Sequence, residues 1–346
     1  MKKAALMFVL LLSFAVYIFL QEEGLNLDTA ALPKHDRAGA HSAEQADSPR
    51  LAYFSVGSSN TYLQAEIASA ERTAERLGFH IDIFDGQFDS FKQYEQIESA
   101  IALNQYDAFV VQANDGRLLC DMVTKVAPSK GIKVAAINST MCGAKDWQEG
   151  TISFVSGQQY EVYEGIIRKI FTDNPAGGKI AGVSGPHTGS NAINMKKAFN
   201  KLAREYPQWQ LVDFVETDYT SSKSYEVTQK LLQQHGDINA VFSNYSGITV
   251  GVVEAVKTAK RENVKIYDFG GDEWAFRALE EGLIEMSTIM LPNEEVQRAI
   301  EAVNESLKGN HVDKFIDLTK DPILPGTPYV TKENIQHFRD KGLPEY

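Results

Sequence analysis

From Leu51 onward, short apolar runs alternate with longer segments of helical period, and this alternation restricts the available folds more than any other feature of the chain. The runs are LAYFSV (51–56), FHIDIF (79–84), DAFVVQA (107–113), IKVAAIN (132–138), TISFV (151–155), KIAGVS (179–184), QLVDFV (210–215), INAVF (238–242), VKIYDF (264–269) and IEMSTIM (284–290). Most are rich in Val, Ile and Ala without strict polar alternation, the pattern of parallel strands covered on both faces. Between them lie amphipathic stretches at Leu63–Leu77, Phe91–Leu103, Tyr160–Phe171, Ala192–Tyr206, Tyr225–Gln234 and Ile248–Lys260. Gly78 and Gly131 fall where left-handed helix caps belong. The repeating strand–helix unit predicts an α/β fold with right-handed crossovers and doubly wound parallel sheets. Ten strands over residues 50–346 are too many for one ordinary domain, which predicts two similar lobes.

The first fifty residues do not share this pattern. Lys2 and Lys3 precede an unbroken apolar run from Ala4 to Leu20, the order of an export signal. The run ends without a small-x-small site, and its length corresponds to roughly 25 Å of helix, so residues 1–20 read either as a cleaved signal peptide or as a signal anchor. No cysteine near the run offers a lipid-attachment point. Residues 21–49 lack aromatics and apolar periodicity and read as a flexible tether. The chain is therefore expected to be periplasmic or otherwise extracytoplasmic, with tethering to the inner membrane through residues 4–20 as the open alternative.

With 43% apolar and 23% charged residues the remainder can build a large core, which excludes a disordered, collagenous or polytopic membrane chain. Its net charge of −12 repels nucleic acid and anionic lipid, so no nucleic-acid partner is expected. Two cysteines are too few for a disulfide scaffold or a structural zinc site, and no metal site is expected. Cys120 follows the third strand and Cys142 the fourth. In an oxidising compartment these sequential neighbours are expected to form a disulfide, the alternative being two separate buried thiols.

In doubly wound sheets ligands bind beyond the carboxyl ends of the strands. Here those positions are crowded with short hydrogen-bonding groups and aromatics: Ser58, Ser59, Asn60 and Tyr62 after the first strand, Asn114 and Asp115 after the third, and Asn138 after the fourth. In the second half they are His187 and Asn191, then Asp218 and Tyr219, then Asn244, then Asp272. Carboxamides and carboxylates match vicinal hydroxyls, and aromatic faces match the C–H side of a sugar ring. Taken singly, each such residue reads more simply as a turn former or helix N-cap. As a set they suit a neutral polyol better than a phosphate.

Five stretches carry a family resemblance: YFSVGSSNTYLQAEIASAERTAERLGF, DAFVVQANDGRLL with GIKVAAINS, the segment from Gly182 to Phe199, AVFSNYSGITVGVVEAVKTA, and KIYDFGGDEWAFRALEEGLIEMSTIMLP. Together they resemble the ribose/galactose class of periplasmic sugar-binding proteins, with the type I solute-binding fold, over about residues 50–340. The resemblance implies two lobes, 50–156 plus 291–318 and 157–290 plus 319–346, joined by a three-strand hinge. Its crossovers would lie near Ser156–Gln158, Met290–Pro292 and Asp317–Lys320, which adds Gln158 to the candidate ligand contacts. It further implies that Tyr62 and Tyr219 stack on the ligand from opposite lobes and that Asn244 faces it. Four positions depart from the family pattern: Asn138-Ser139 replaces an Asp-Arg pair, Ile193 an arginine, Gly270 an aspartate with Asp272 two residues on, and Met290 the hinge glutamine. The segment PYVTKENI (328–335) resembles the tail of longer members.

No G-x-S-x-G, H-E-x-x-H or Cys-His pairing is present, and Gly57-Ser58-Ser59-Asn60 is neither a dinucleotide fingerprint nor a phosphate loop. No catalytic residue and no cofactor are therefore expected, and an enzyme is the minor alternative. The reading is a monomeric binding protein for a sugar or polyol. Its membrane partner is either an ABC-type permease or a sensor kinase. A DNA-binding regulator of the same fold would need a basic N-terminal domain that this chain lacks.

Overall fold

In the computed structural model, which describes residues 48–346, the ten apolar runs form strands β1 (Arg50–Ser55), β2 (His80–Asp85), β3 (Ala108–Gln112), β4 (Lys133–Ile137), β5 (Ser153–Ser156), β6 (Gly178–Ser184), β7 (Trp209–Glu216), β8 (Ala240–Ser243), β9 (Lys265–Gly270) and β10 (Met286–Ile289). Two short strands escape the sequence pattern, β11 (Phe315–Asp317) and β12 (Tyr329–Val330). The export segment and nearly all of the tether, residues 1–20 and 21–49, fall outside the described residues. Among those described, no helix is long and apolar enough to cross a membrane.

The strands divide into two sheets of six, ordered β11-β5-β4-β3-β1-β2 and β12-β10-β9-β8-β6-β7. All pairings are parallel except β12 against β10. Central strands β3 and β8 are buried along their whole length, which is why they read as continuous apolar runs. The chain passes from the first sheet to the second after β5 and returns after β10. It crosses once more after β11, through the turn Leu318–Lys320.

The connecting helices start and stop where local chemistry dictates. Helix α1 (Thr61–Leu77) is capped by Asn60, whose Oδ1 accepts from Leu63 N at 2.9 Å, and is closed by Gly78 at φ 78°. Its N–H bonds the carbonyls of Ala74 and Glu75. Helix α2 (Ser90–Leu103) is capped by Asp89, and a helical segment at Met122–Val126 leads into the short α3 (Ala127–Ser129). In the second half follow α4 (Tyr160–Asp173), α5 (Ser190–Glu205), α6 (Ser221–Gln234), α7 (Ser246–Thr258) and α8 (Glu273–Glu281). Helix α9 (Pro292–Leu307) lies back on the first sheet, where Ser69 Oγ donates to Asn293 O at 2.9 Å and Arg76 meets Glu301 at 2.8 Å. The chain closes with α10 (Ile335–Arg339).

Cys120 and Cys142 are joined by a disulfide, with 4.9 Å between their Cα atoms. The bond holds the loop after β4 against the turn after β3. Contact there is so close that a side chain at Gly116 would meet the Thr140 carbonyl oxygen at 2.1 Å.

Candidate functional site

Where the carboxyl ends of the two sheets face each other, a cavity of about 140 Å³ opens between them. Eight of the fourteen residues selected from the sequence reach its wall. From the first sheet come Asn60, Tyr62, Asn114 and Asn138; Gln158 stands at the crossing; Asn191, Tyr219 and Asn244 come from the second. Each follows a strand end, so parallel packing delivers its side chain to the cleft.

Hydrogen bonds inside the protein fix which edge most of these carboxamides show. Asn60 and Asn244 spend their oxygens on backbone N–H groups, Leu63 at 2.9 Å and Gly185 at 3.2 Å, which leaves their NH₂ groups as donors. Asn244 Nδ2 is buried without a hydrogen bond of normal length, only the buried Tyr163 hydroxyl lying near it. Asn191 Nδ2 donates across the cleft to Asn138 Oδ1 at 3.1 Å and to Gln158 Oε1 at 2.9 Å, leaving Asn191 Oδ1 buried and unpartnered. Unsatisfied buried groups of both polarities are what a hydroxyl-rich ligand would satisfy.

Tyr62, expected to stack on the ligand, lines the cavity but is packed against Tyr346 and held by its hydroxyl. Its ring is buried, set at 82° to that of Tyr346 with centroids 5.7 Å apart, and its hydroxyl donates to Glu295 while accepting from Asn138 Nδ2 at 3.1 Å and Gln158 Nε2 at 3.3 Å. The aromatic that faces Tyr219 is Phe88, with ring centroids 5.9 Å apart. Sequence reasoning missed Phe88 because it stands in a turn after β2, at φ 56°, where no strand-end polar signal marks it. Gln112, Thr188, Ser190 and Tyr245, none of them among the fourteen, also line the cavity, as does Met290 at the hinge. Burial pushes the Tyr219 hydroxyl up to about 12, so it stays protonated and able to donate.

Six selected residues lie off the cavity, for local reasons. Asp115 Oδ1 accepts from the Arg117 and Leu118 N–H groups at 2.8 and 3.1 Å, and Asp218 Oδ1 from Thr220 N and Oγ1 at 3.0 and 2.6 Å. Asp272 caps α8 through Ala275 N at 2.8 Å, and burial raises its carboxyl to about 6. Ser58 Oγ donates to Asp85 at 2.7 Å, and Ser59 is exposed. His187 Nδ1 lies 3.0 Å from Glu216 and lines a separate surface hollow. Of the four departures from the family pattern, Met290 and Asn138-Ser139 reach the cavity, whereas Ile193 does not. Gly270 has no room for a side chain, since a Cβ would meet Ser246 Oγ at 2.0 Å. Among the described residues no cluster of His, Cys, Asp and Glu could hold a metal.

Two doubly wound sheets with a small-molecule cavity between their carboxyl ends, and the chain crossing three times from one to the other, define a two-lobed solute-binding protein. A family model described as the periplasmic binding protein domain matches residues 51–311, and the chain belongs to that family. It is 24% identical to the ribose import binding protein RbsB of Bacillus subtilis (strain 168) over 280 residues, 79% of this chain and 88% of that one. Its fold superposes on the crystal structure of a galactofuranose binding protein with TM-score 0.76 at 19% identity, covering 86% of this chain and all of the other. The periplasmic component of the arabinose ABC transporter from Shewanella sp. ANA-3, bound to L-arabinofuranose, superposes with TM-score 0.74 at 20% identity, over 84% and 95% of the two chains.

Proposed function

We propose that this protein captures a neutral sugar or polyol in an extracytoplasmic compartment and presents it to an ABC-type permease. The two lobes, residues 50–156 plus 291–318 and 157–290 plus 319–346, close over the ligand as a monomeric clamp. One observation carries the reading: among the described residues no Asp, Glu, Lys, Arg or His lines the cavity, whereas seven carboxamides do. A charged solute would be desolvated there without a counter-charge, at a cost of several kcal/mol, while hydroxyls find donors and acceptors on every side. The relatives' ligands, ribose and the furanose forms of arabinose and galactose, are of this class.

Native mass spectrometry of gently purified protein, followed by calorimetry against pentoses, hexoses, polyols, sugar acids and sugar phosphates, tests the reading. A neutral polyhydroxylated ligand is expected. Preference for a sugar acid or phosphate over its neutral parent would overturn it. The apolar run Ala4–Leu20, ending without a cleavage site, supports a second reading, a tethered receptor that reports occupancy to a sensor kinase. Recovery of the uncleaved chain from membranes would favour it.

A further inference from the structure

Behind the cavity two carboxyl groups meet in the first lobe without a cation. Glu66 on α1 and Glu295 on α9 are 0% and 1% exposed. The groups facing them are neutral. From β1, Tyr53 Oη donates to Glu66 Oε2 at 3.1 Å; from β3, Gln112 Nε2 donates to Glu66 Oε1 at 3.3 Å. From α1 the Tyr62 hydroxyl, and from the end of β4 Asn138 Nδ2 at 3.4 Å, donate to Glu295 Oε2. Tyr346 packs behind Tyr62. Among the described residues no Lys, Arg or His pairs with either carboxyl.

Glu295 Oε1 is buried and receives no bond from any of these donors, and the Glu66 and Glu295 carboxyls lie close enough to interact with one another. Two carboxyl oxygens can hold that contact only around a proton. Glu66 then serves as O–H donor, and Glu295 as a carboxylate accepting from Glu66, Tyr62 and Asn138. Burial, and the neighbouring carboxyl in the case of Glu66, push both groups above the usual carboxylate range.

This arrangement orients the ligand site. Asn138 and Gln158 both turn their NH₂ groups to the Tyr62 hydroxyl, so their carbonyl oxygens point to Asn191 and the cavity. We propose that Glu295, sharing one proton with Glu66, is the positioning residue of the ligand site: through Tyr62 and Asn138 it presents acceptor oxygens to the ligand and makes affinity depend on a buried proton. The inference rests on the reading of the cavity as a polyol site. Coupling follows from polarisation along the chain. An Asn138 amide that donates to a carboxylate accepts more strongly at its other end than one facing a neutral acid.

The test has two arms. In isotope-labelled protein without ligand, the side-chain amide resonances of Asn138 and Gln158 should shift together between about pH 5.5 and 8, and the shift should vanish in Glu295→Gln, whose carboxamide keeps an acceptor for Tyr62 but cannot titrate. D-ribose affinity measured by calorimetry should rise at least about threefold over the same interval in the wild type and stay flat in Glu295→Gln. Tyr62→Phe keeps both carboxyls but removes the hydroxyl that orients Gln158, so the Gln158 shift should vanish there even if Glu295→Gln does not fold. Amide resonances that ignore pH in the wild type, or that shift alike in Glu295→Gln, overturn the proposal. If D-ribose binds at no pH, the ribose expectation falls, and the amide titration still decides the role of Glu295.

Discussion

Phe88 and Tyr219 face each other from opposite lobes, their ring centroids 5.9 Å apart and their planes inclined by 33°. That gap is too narrow for a ligand ring to stack on both, so the pair must part on loading or grip the ligand by its edge. Either way both faces lose water to the ligand, each contact being worth about 0.5–1.5 kcal/mol beyond its buried area. Phe88→Ala should weaken binding of the native ligand about two- to tenfold, and Tyr219→Ala by at least as much. Phe88 is 39% exposed, so its ligand-free melting temperature should barely change. Calorimetry paired with thermal melts checks both statements; a Phe88→Ala protein that binds like wild type removes it from the site.

The Cys120–Cys142 disulfide spans 22 residues of sequence. In the chain-entropy model a loop of this length contributes about 3 kcal/mol by restricting the unfolded chain. Replacing both cysteines by serine should lower the unfolding free energy by about 2–4 kcal/mol. The bond also fastens the loop bearing Asn138 and Ser139, so ligand affinity should fall as well. Denaturant titration of the double variant, beside peptide mapping of the unreduced wild type, measures both effects.

The strand–helix rhythm made the ten principal strands legible, because parallel strands buried on both faces must be apolar throughout. Strands β11 and β12 were not legible, being three and two residues long. At the site the aspartates and the carboxamides diverged. Asp115, Asp218 and Asp272 spend their oxygens on nearby N–H groups, as short acidic side chains at helix starts do. Asn60 shows why the carboxamides could reach the cavity: its oxygen caps α1 while its NH₂ group remains for the cleft. Phe88 and Glu295 could not be selected from the sequence. One stands in an irregular turn, and the other follows a proline in a helix start that reads as ordinary.

Stability should fall as pH rises from about 5 to 8, opposite to the behaviour of a chain whose carboxylates are mostly ion-paired. Burial lifts Glu345 to about 8, with the Asn293 N–H opposing, and raises Glu66, Glu295 and Asp272 as well. A carboxyl with a raised folded-state pKa holds a proton that the unfolded chain has already released. Its contribution is complete below the unfolded value, near 4.5 for Glu, and disappears as pH passes the folded value. The low-lying Glu164 and Glu226, each at about 2, act only on the acid side of that window. Denaturant titrations at both ends of the interval should differ by on the order of 2 kcal/mol, with part of the slope missing in Glu345→Gln. A flat profile would show that these groups are solvated and ordinary.

Asn191 makes the polar bridge between the lobes at the cavity itself, donating from α5 to Asn138 on the first sheet and Gln158 at the crossing. The lobes also meet through a marginal 3.5 Å approach of Thr61 to Tyr245 and a 2.8 Å ion pair of Lys145 with Glu161, exposed and therefore weak. Near the crossings and the carboxyl-terminal tail, Gln158 donates to Tyr62 at 3.3 Å, Gln159 to Asp317 at 3.2 Å and Asn293 N to Glu345 at 2.7 Å, and Arg298 pairs with Asp321 at 3.2 Å. Away from the crossings and the tail, closure without ligand thus leans on one carboxamide, and closure with ligand should use its unpartnered Oδ1 as well. Asn191→Ala should open the ligand-free protein, seen as a larger radius of gyration in small-angle scattering, and should weaken binding about tenfold or more, because two acceptors and a ligand hydroxyl lose their donor or acceptor together. Its unfolding free energy should stay within about 0.5–1 kcal/mol of wild type, since in the open form the freed groups face water. An unchanged radius of gyration together with unchanged affinity would show that the lobes are held by their hinge alone.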